Sequence, residues 1–153
     1  MYYHFELLKQ TRNNMLKAIE GLSIEDLNKI PSGFNNNIAW NFNHSILVME
    51  ILCYRLSGLE IQVPDELVIK YSKGSVPEDI SQQEMDFFIN LAKTSANKLE
   101  EHYDKGVFDD YKVYKTSYNV TLTCIEEALT FNNVHEGLHF GYIMALKRAL
   151  QAK

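Results

Sequence analysis

Apolar residues recur at helical spacing through four long stretches of this chain, and no proline interrupts any of them. Pro31, Pro64 and Pro77 all fall between the stretches, where a helix has to stop. Such a pattern restricts the fold to helices packed on helices, with little strand to share the core. The first stretch runs from about Tyr3 to Glu20, with Phe5, Leu8, Met15, Ala18 and Ile19 on one stripe and Gly21 as its stop. Ser23-Ile24-Glu25-Asp26 then reads as the capping sequence of a helix of one or two turns. The second stretch runs from about Ile38 to Leu56, with Asn35, Asn36 and Asn37 as candidate N-caps and Ser57-Gly58 closing it. The third runs from Ser81 to about Tyr103 and opens on Ser81-Gln82-Gln83-Glu84. In that box the Ser hydroxyl takes one free backbone N–H and the Glu reaches back to another. The fourth runs from about Thr121 to Gln151 and contains Gly137 and Gly141. Each glycine costs about 1 kcal/mol relative to Ala, so close helix packing or access to a buried site is expected there.

Two connections stand out. Leu59 to Ile80 carries Pro64, Gly74 and Pro77, with a short helix expected around Glu66 to Tyr71. Connections of this length tend to be functional, so this segment is expected to set specificity. Tyr111 to Asn119 has the residues of an extended segment, although one strand cannot make a sheet alone.

The length, 153 residues, is that of one ordinary domain, so 1–153 is expected to form a single unit with a real core. A net charge of -5 and scattered basic residues argue against a nucleic-acid surface. The start of the chain does not read as a signal peptide, and no apolar run is long enough to span a membrane, so a cytoplasmic protein is expected. Cys53 and Cys124 are too few for a disulfide framework and read as reduced core residues.

The chemistry lies in the histidines. His44 shares a helix face with Trp40, Leu47, Val48, Ile51 and Leu52, so it points at the core. His135 and His139 are one turn apart, with Ala128, Phe131, Asn132, Leu138, Tyr142 and Leu146 on the same side. Three buried imidazoles without partners would be costly, and a shared divalent ion would satisfy all three at once. Three nitrogen ligands also leave positions for water or substrate, as in catalytic sites. The plainer reading is that each is a satisfied core histidine, and a joint site requires the second and fourth helices to face each other. His4 and His102, in terminal or polar surroundings, read as ordinary residues.

His135-Glu136-Gly137-Leu138-His139 also matches the H-E-x-x-H helix of zinc proteases, which makes Glu136 a candidate general base. Against this, no Asp, Glu or His follows His139 to serve as a third ligand, and almost no sheet is in prospect. Tyr142 is a second catalytic candidate, as a hydrogen-bond donor or acid beside the histidines. Asn132 is placed to bond the outer nitrogen of a ligand. Asn41 and Asn43 are expected to point elsewhere. Trp40 reads as packing that fixes the ligand helix. Cys53 lies roughly 13 Å along its helix from His44, and Cys124 about 16 Å from His135, so neither joins the site. From the residues alone, a metal-dependent hydrolase using Glu136 and a non-enzymatic metal-binding helical protein both stand.

Ile38-Ala39-Trp40-Asn41-Phe42-Asn43-His44 resembles the s-i-a-W-x-x-x-H segment of the DinB-like (YfiT-like) metalloenzymes. His135-Glu136-Gly137-Leu138-His139-Phe140-Gly141-Tyr142-Ile143 resembles that family's last-helix motif, H-x-x-x-H followed by G-x-i or G-x-l. Leu56-Ser57-Gly58 and the Gly74 region are similar too, so the resemblance covers essentially the whole chain. It implies an all-α, four-helix bundle, up-up-down-down with a long crossover connection. It implies one divalent metal, often zinc or nickel, held by His44, His135 and His139. It implies a homodimer and a small-molecule substrate, with thiol-dependent transfer or isomerisation using low-molecular-weight thiols such as bacillithiol or mycothiol. A metal-bound thiol would act as thiolate on an electrophile.

Overall fold

A computed structural model describes residues 1–151; the last two residues of the expected unit 1–153 lie outside the described part. The chain is mostly helical: α1 (Tyr2–Ile19), α2 (Ile24–Asn28), α3 (Ile38–Met49), α4 (Asp65–Lys70), α5 (Gln82–Asp104) and α6 (Ile125–Gln151). A hairpin of two-residue strands, β1 (Tyr114–Lys115) and β2 (Thr121–Leu122), completes it. The start signals do what their chemistry requires. Ser23 opens α2 with a full capping box closed by Asp26, and the Asn37 side chain accepts from the N–H of Trp40 to open α3. Ser81 likewise accepts from Glu84 N–H. The Glu84 carboxylate, expected to reach back to Ser81, instead accepts from Lys70 Nζ at 2.9 Å and from the Tyr71 hydroxyl, tying α4 to α5.

Two expectations change in detail. The second helical stretch does extend to Ser57, but after Met49 it widens into a π-helical turn (Glu50–Tyr54) and ends in a 3-10 turn (Arg55–Ser57). The start of the expected fourth helix is not helical. Thr121 and Leu122 pair antiparallel with Lys115 and Tyr114, supplying the partner that the extended segment lacked. Asn119, at φ 62°, turns the chain between them.

α3 packs along α6, and α1 packs on both α6 and α5. The core they enclose has two apolar clusters. One gathers Met15, Ile46, Leu47, Leu91, Ala92, Ile143 and Leu146; the other gathers Leu8, Met49, Leu52, Ala96, Leu99, Ala128 and Leu129. On α1, α5 and α6 the residues between the clusters are polar: Arg12, Ser95, and Asn132 with Glu136. They join in one buried layer. Arg12 donates to both Glu136 oxygens, through Nη2 at 2.8 Å and Nε at 3.1 Å, and to Ser95 Oγ at 2.5 Å. Asn132 Nδ2 donates to Glu136 Oε1 at 3.0 Å. Arg12 and Glu136 are both essentially inaccessible to solvent. Gly137 and Gly141 are not close-packing positions, since a Cβ at either would meet nothing within 4 Å; nothing in the structure explains them. No helix among the described residues is long and apolar enough to cross a membrane.

Candidate metal centre

Because α3 and α6 face each other, His44 meets His135 and His139. The ring centroids are 4.5 Å apart for His135 and His139, 4.8 Å for His44 and His139, and 5.2 Å for His44 and His135. One nitrogen from each ring lies within 4.8 Å of the others. His44 and His139 are buried and His135 partly so.

The outer nitrogens of two rings are fixed. His44 Nδ1 lies 2.6 Å from the carbonyl oxygen of Tyr71, an atom that can only accept, so Nδ1 carries the proton. His139 Nδ1 lies 2.9 Å from Asn41 Oδ1. Asn41 Nδ2 already donates to the carbonyl of Asn37 at 2.8 Å, which turns Oδ1 toward the ring and makes His139 Nδ1 the donor. Both Nε2 atoms are therefore left as lone pairs. His135 Nε2 lies 3.2 Å from His139 Nε2, while its Nδ1 is buried without a partner. Two nitrogens each about 2.1 Å from a common ion stand roughly 3 to 3.5 Å apart at tetrahedral or octahedral angles. The His135–His139 spacing thus fits one divalent ion, and His44 offers a nitrogen within 4.8 Å of both to complete the donor set. Burial favours neutral imidazole throughout: the pKa of His44 is lowered, that of His135 pushed down to about 4, and that of His139 to about 3, where the neighbouring histidines add repulsion.

Two expectations about neighbouring residues are corrected. Asn41 does not point away; it is the partner of His139. Asn132, expected to bond a ligand nitrogen, bonds Glu136 instead. The second partner is a backbone carbonyl, that of Tyr71, and no residue type in the sequence signals a carbonyl. Trp40 packs as expected, stacked on His44 at 4.5 Å with an interplanar angle of 10°, and its Nε1 also donates to Ser75 Oγ at 2.9 Å.

The triad opens into a cavity of about 550 Å³ whose lining includes Phe34, Trp40, Asn41, Lys73, Tyr118 and Tyr142. Tyr142 is half exposed there. Glu136 is not in the lining; its carboxylate is held on the other side of α6 by Arg12. Cys53 and Cys124 are free thiols outside the cavity, and burial pushes the Cys53 pKa far up. His102 stands beside Tyr54, away from the triad, and the backbone carbonyl of His4 accepts from Asn133.

Set beside known families, residues 7–143 match the model described as the DinB superfamily. No curated protein matches the chain.

Proposed function

The chain belongs to the DinB superfamily, and on that premise we propose that it is a divalent-metal-dependent enzyme that transfers a low-molecular-weight thiol to an electrophile. The observation that carries this reading is the convergence of His44, His135 and His139 at the floor of a cavity, with the outer nitrogens of two of them held. These three would hold the ion, zinc or nickel. When bound, the ion supplies positive charge that favours the deprotonated form of a thiol at neutral pH.

The rest of the chemistry falls to the chain's own residues. Asn41 and the Tyr71 carbonyl keep the His139 and His44 rings in the tautomer that offers Nε2 inward. Trp40 stacks on His44 and limits its rotation. Phe34, Leu138 and Leu146 give the cavity an apolar wall that sheds water. The Tyr142 hydroxyl is at hand as a proton donor to a departing group. Thiol transfer is preferred over hydrolysis because no carboxylate among the described residues lines the cavity to act as base on water. A thiol brings its own nucleophile and needs no such base. The protein thiols are not the nucleophile, since neither reaches the cavity. The proposal extends to one unit over 1–153, an up-up-down-down arrangement of the four long helical stretches, a homodimer and a cytoplasmic location.

Metal analysis of the protein prepared without a polyhistidine tag tests the reading. The wild type is expected to hold close to one equivalent, and His135→Ala little. A metal-free wild type that takes up neither zinc nor nickel on reconstitution would sink the enzyme reading.

A further inference from the structure

The charge inside the cavity is one-sided. Of the residues that line it, Lys73 is the one with a full charge, and no Asp or Glu joins it among the described residues. This is so in a chain whose net charge is -5. Lys73 makes no ion pair or hydrogen bond among the described residues. The triad is three neutral imidazoles, which leave the charge of a divalent ion uncompensated. An ion and Lys73 together would give the cavity three positive charges with no anion to oppose them.

Lys73 is exposed, but its backbone is not free. Two residues before it, the Tyr71 carbonyl is bonded to His44. Two residues after it, Ser75 Oγ accepts from Trp40 Nε1 and donates to the Lys70 carbonyl at 2.7 Å. Gly74, at φ 87°, makes the turn between. The turn from Tyr71 to Ser75 is thus fastened to α3 on both sides of Lys73, at His44 and at Trp40. It places Lys73 on the wall of the same cavity that the triad opens into.

From this we infer that the substrate is a small molecule with an anionic group, and that Lys73 is the specificity residue that pairs with it. The inference rests on the metal reading above and adds the substrate's charge and the residue that selects it. Lys73 is exposed, so its pairing with the anion is screened by salt, and the charge of an ion at the triad adds to the attraction.

The test uses the full chain loaded with cobalt(II), whose absorption reports thiolate binding. It is titrated with ω-mercaptocarboxylates of graded length and with mercaptoalcohols of the same lengths. At the length that spans triad to Lys73, the carboxylate should bind about tenfold more tightly than the alcohol, equivalent to about 1.4 kcal/mol. That preference should vanish in Lys73→Gln, survive in Lys73→Arg and shrink as salt is added. Chelation of cobalt by a short carboxylate would give a preference too, but one unchanged in Lys73→Gln. A preference equal in wild type and Lys73→Gln at every length, or absent from the wild type at all lengths, overturns the inference and leaves the metal reading standing. Failure to take up cobalt is seen before any thiol is added, and overturns both.

Discussion

Asn41 grips His139 by the nitrogen that faces away from the triad, and it can do so only because Asn37 fixes the amide from the other side. Loss of such an outer partner typically costs 10- to 100-fold in metal affinity. Asn41→Ala is therefore expected to weaken zinc binding by about that factor, measured by competition with a chromogenic chelator. Asn41→Asp keeps an acceptor for His139 Nδ1 and should retain most of the affinity. Equal affinities in all three proteins would show that the bond does not orient the ring. The histidines themselves could be read in the sequence, because a side chain at i and i+4 on an apolar face has one place to go. Asn41 could not: it lies three residues before His44, and its role depends on the distance and rotation between α3 and α6, which no local pattern encodes. Lys73 was foreshadowed only as part of a long connection expected to matter.

Between elements, the bond with most consequence is the one from Arg12 on α1 to Glu136 on α6. Removing one partner from a buried pair leaves an unopposed charge and costs about 3–5 kcal/mol. Glu136→Gln should lower unfolding stability on that scale in denaturant titration, and Arg12→Met similarly, whereas the double change Arg12→Met with Glu136→Leu should recover most of the loss. Metal content per folded molecule of Glu136→Gln should match the wild type. A fully stable Glu136→Gln protein would contradict this account and return the carboxylate to the list of catalytic bases. The H-E-x-x-H match misled for a physical reason: neighbouring helical residues point about 100° apart, so Glu136 faces α1 while His135 faces α3. The long helices themselves were legible, since tens of residues of one period outweigh local noise. The π turn at Glu50–Tyr54 was not, as no glycine or proline marks it. Nor was the hairpin, whose second strand of two residues borders α6.

At the scale of the whole molecule, three imidazoles held neutral by burial couple folding to acidity. Their folded-state pKa values lie below the unfolded value of about 6.5. Between those limits the unfolded chain binds more protons, so stability is complete above about pH 6.5 and falls as pH drops toward 4 and below. The chelated protein should therefore lose urea stability steadily from about pH 7 to 5, and His139→Ala should show a shallower slope. Identical slopes would mean that these rings do not set the acid sensitivity. The same burial makes the two apolar clusters meet across a polar layer, so sliding α1, α5 or α6 by one turn would press a charge or an amide against hydrocarbon. Arg12 and Glu136 stand 124 residues apart in the chain. During synthesis, then, the guanidinium leaves the ribosome long before the carboxylate does. Until α6 emerges it has to stay in water, and the first helix cannot settle into its final place ahead of the last.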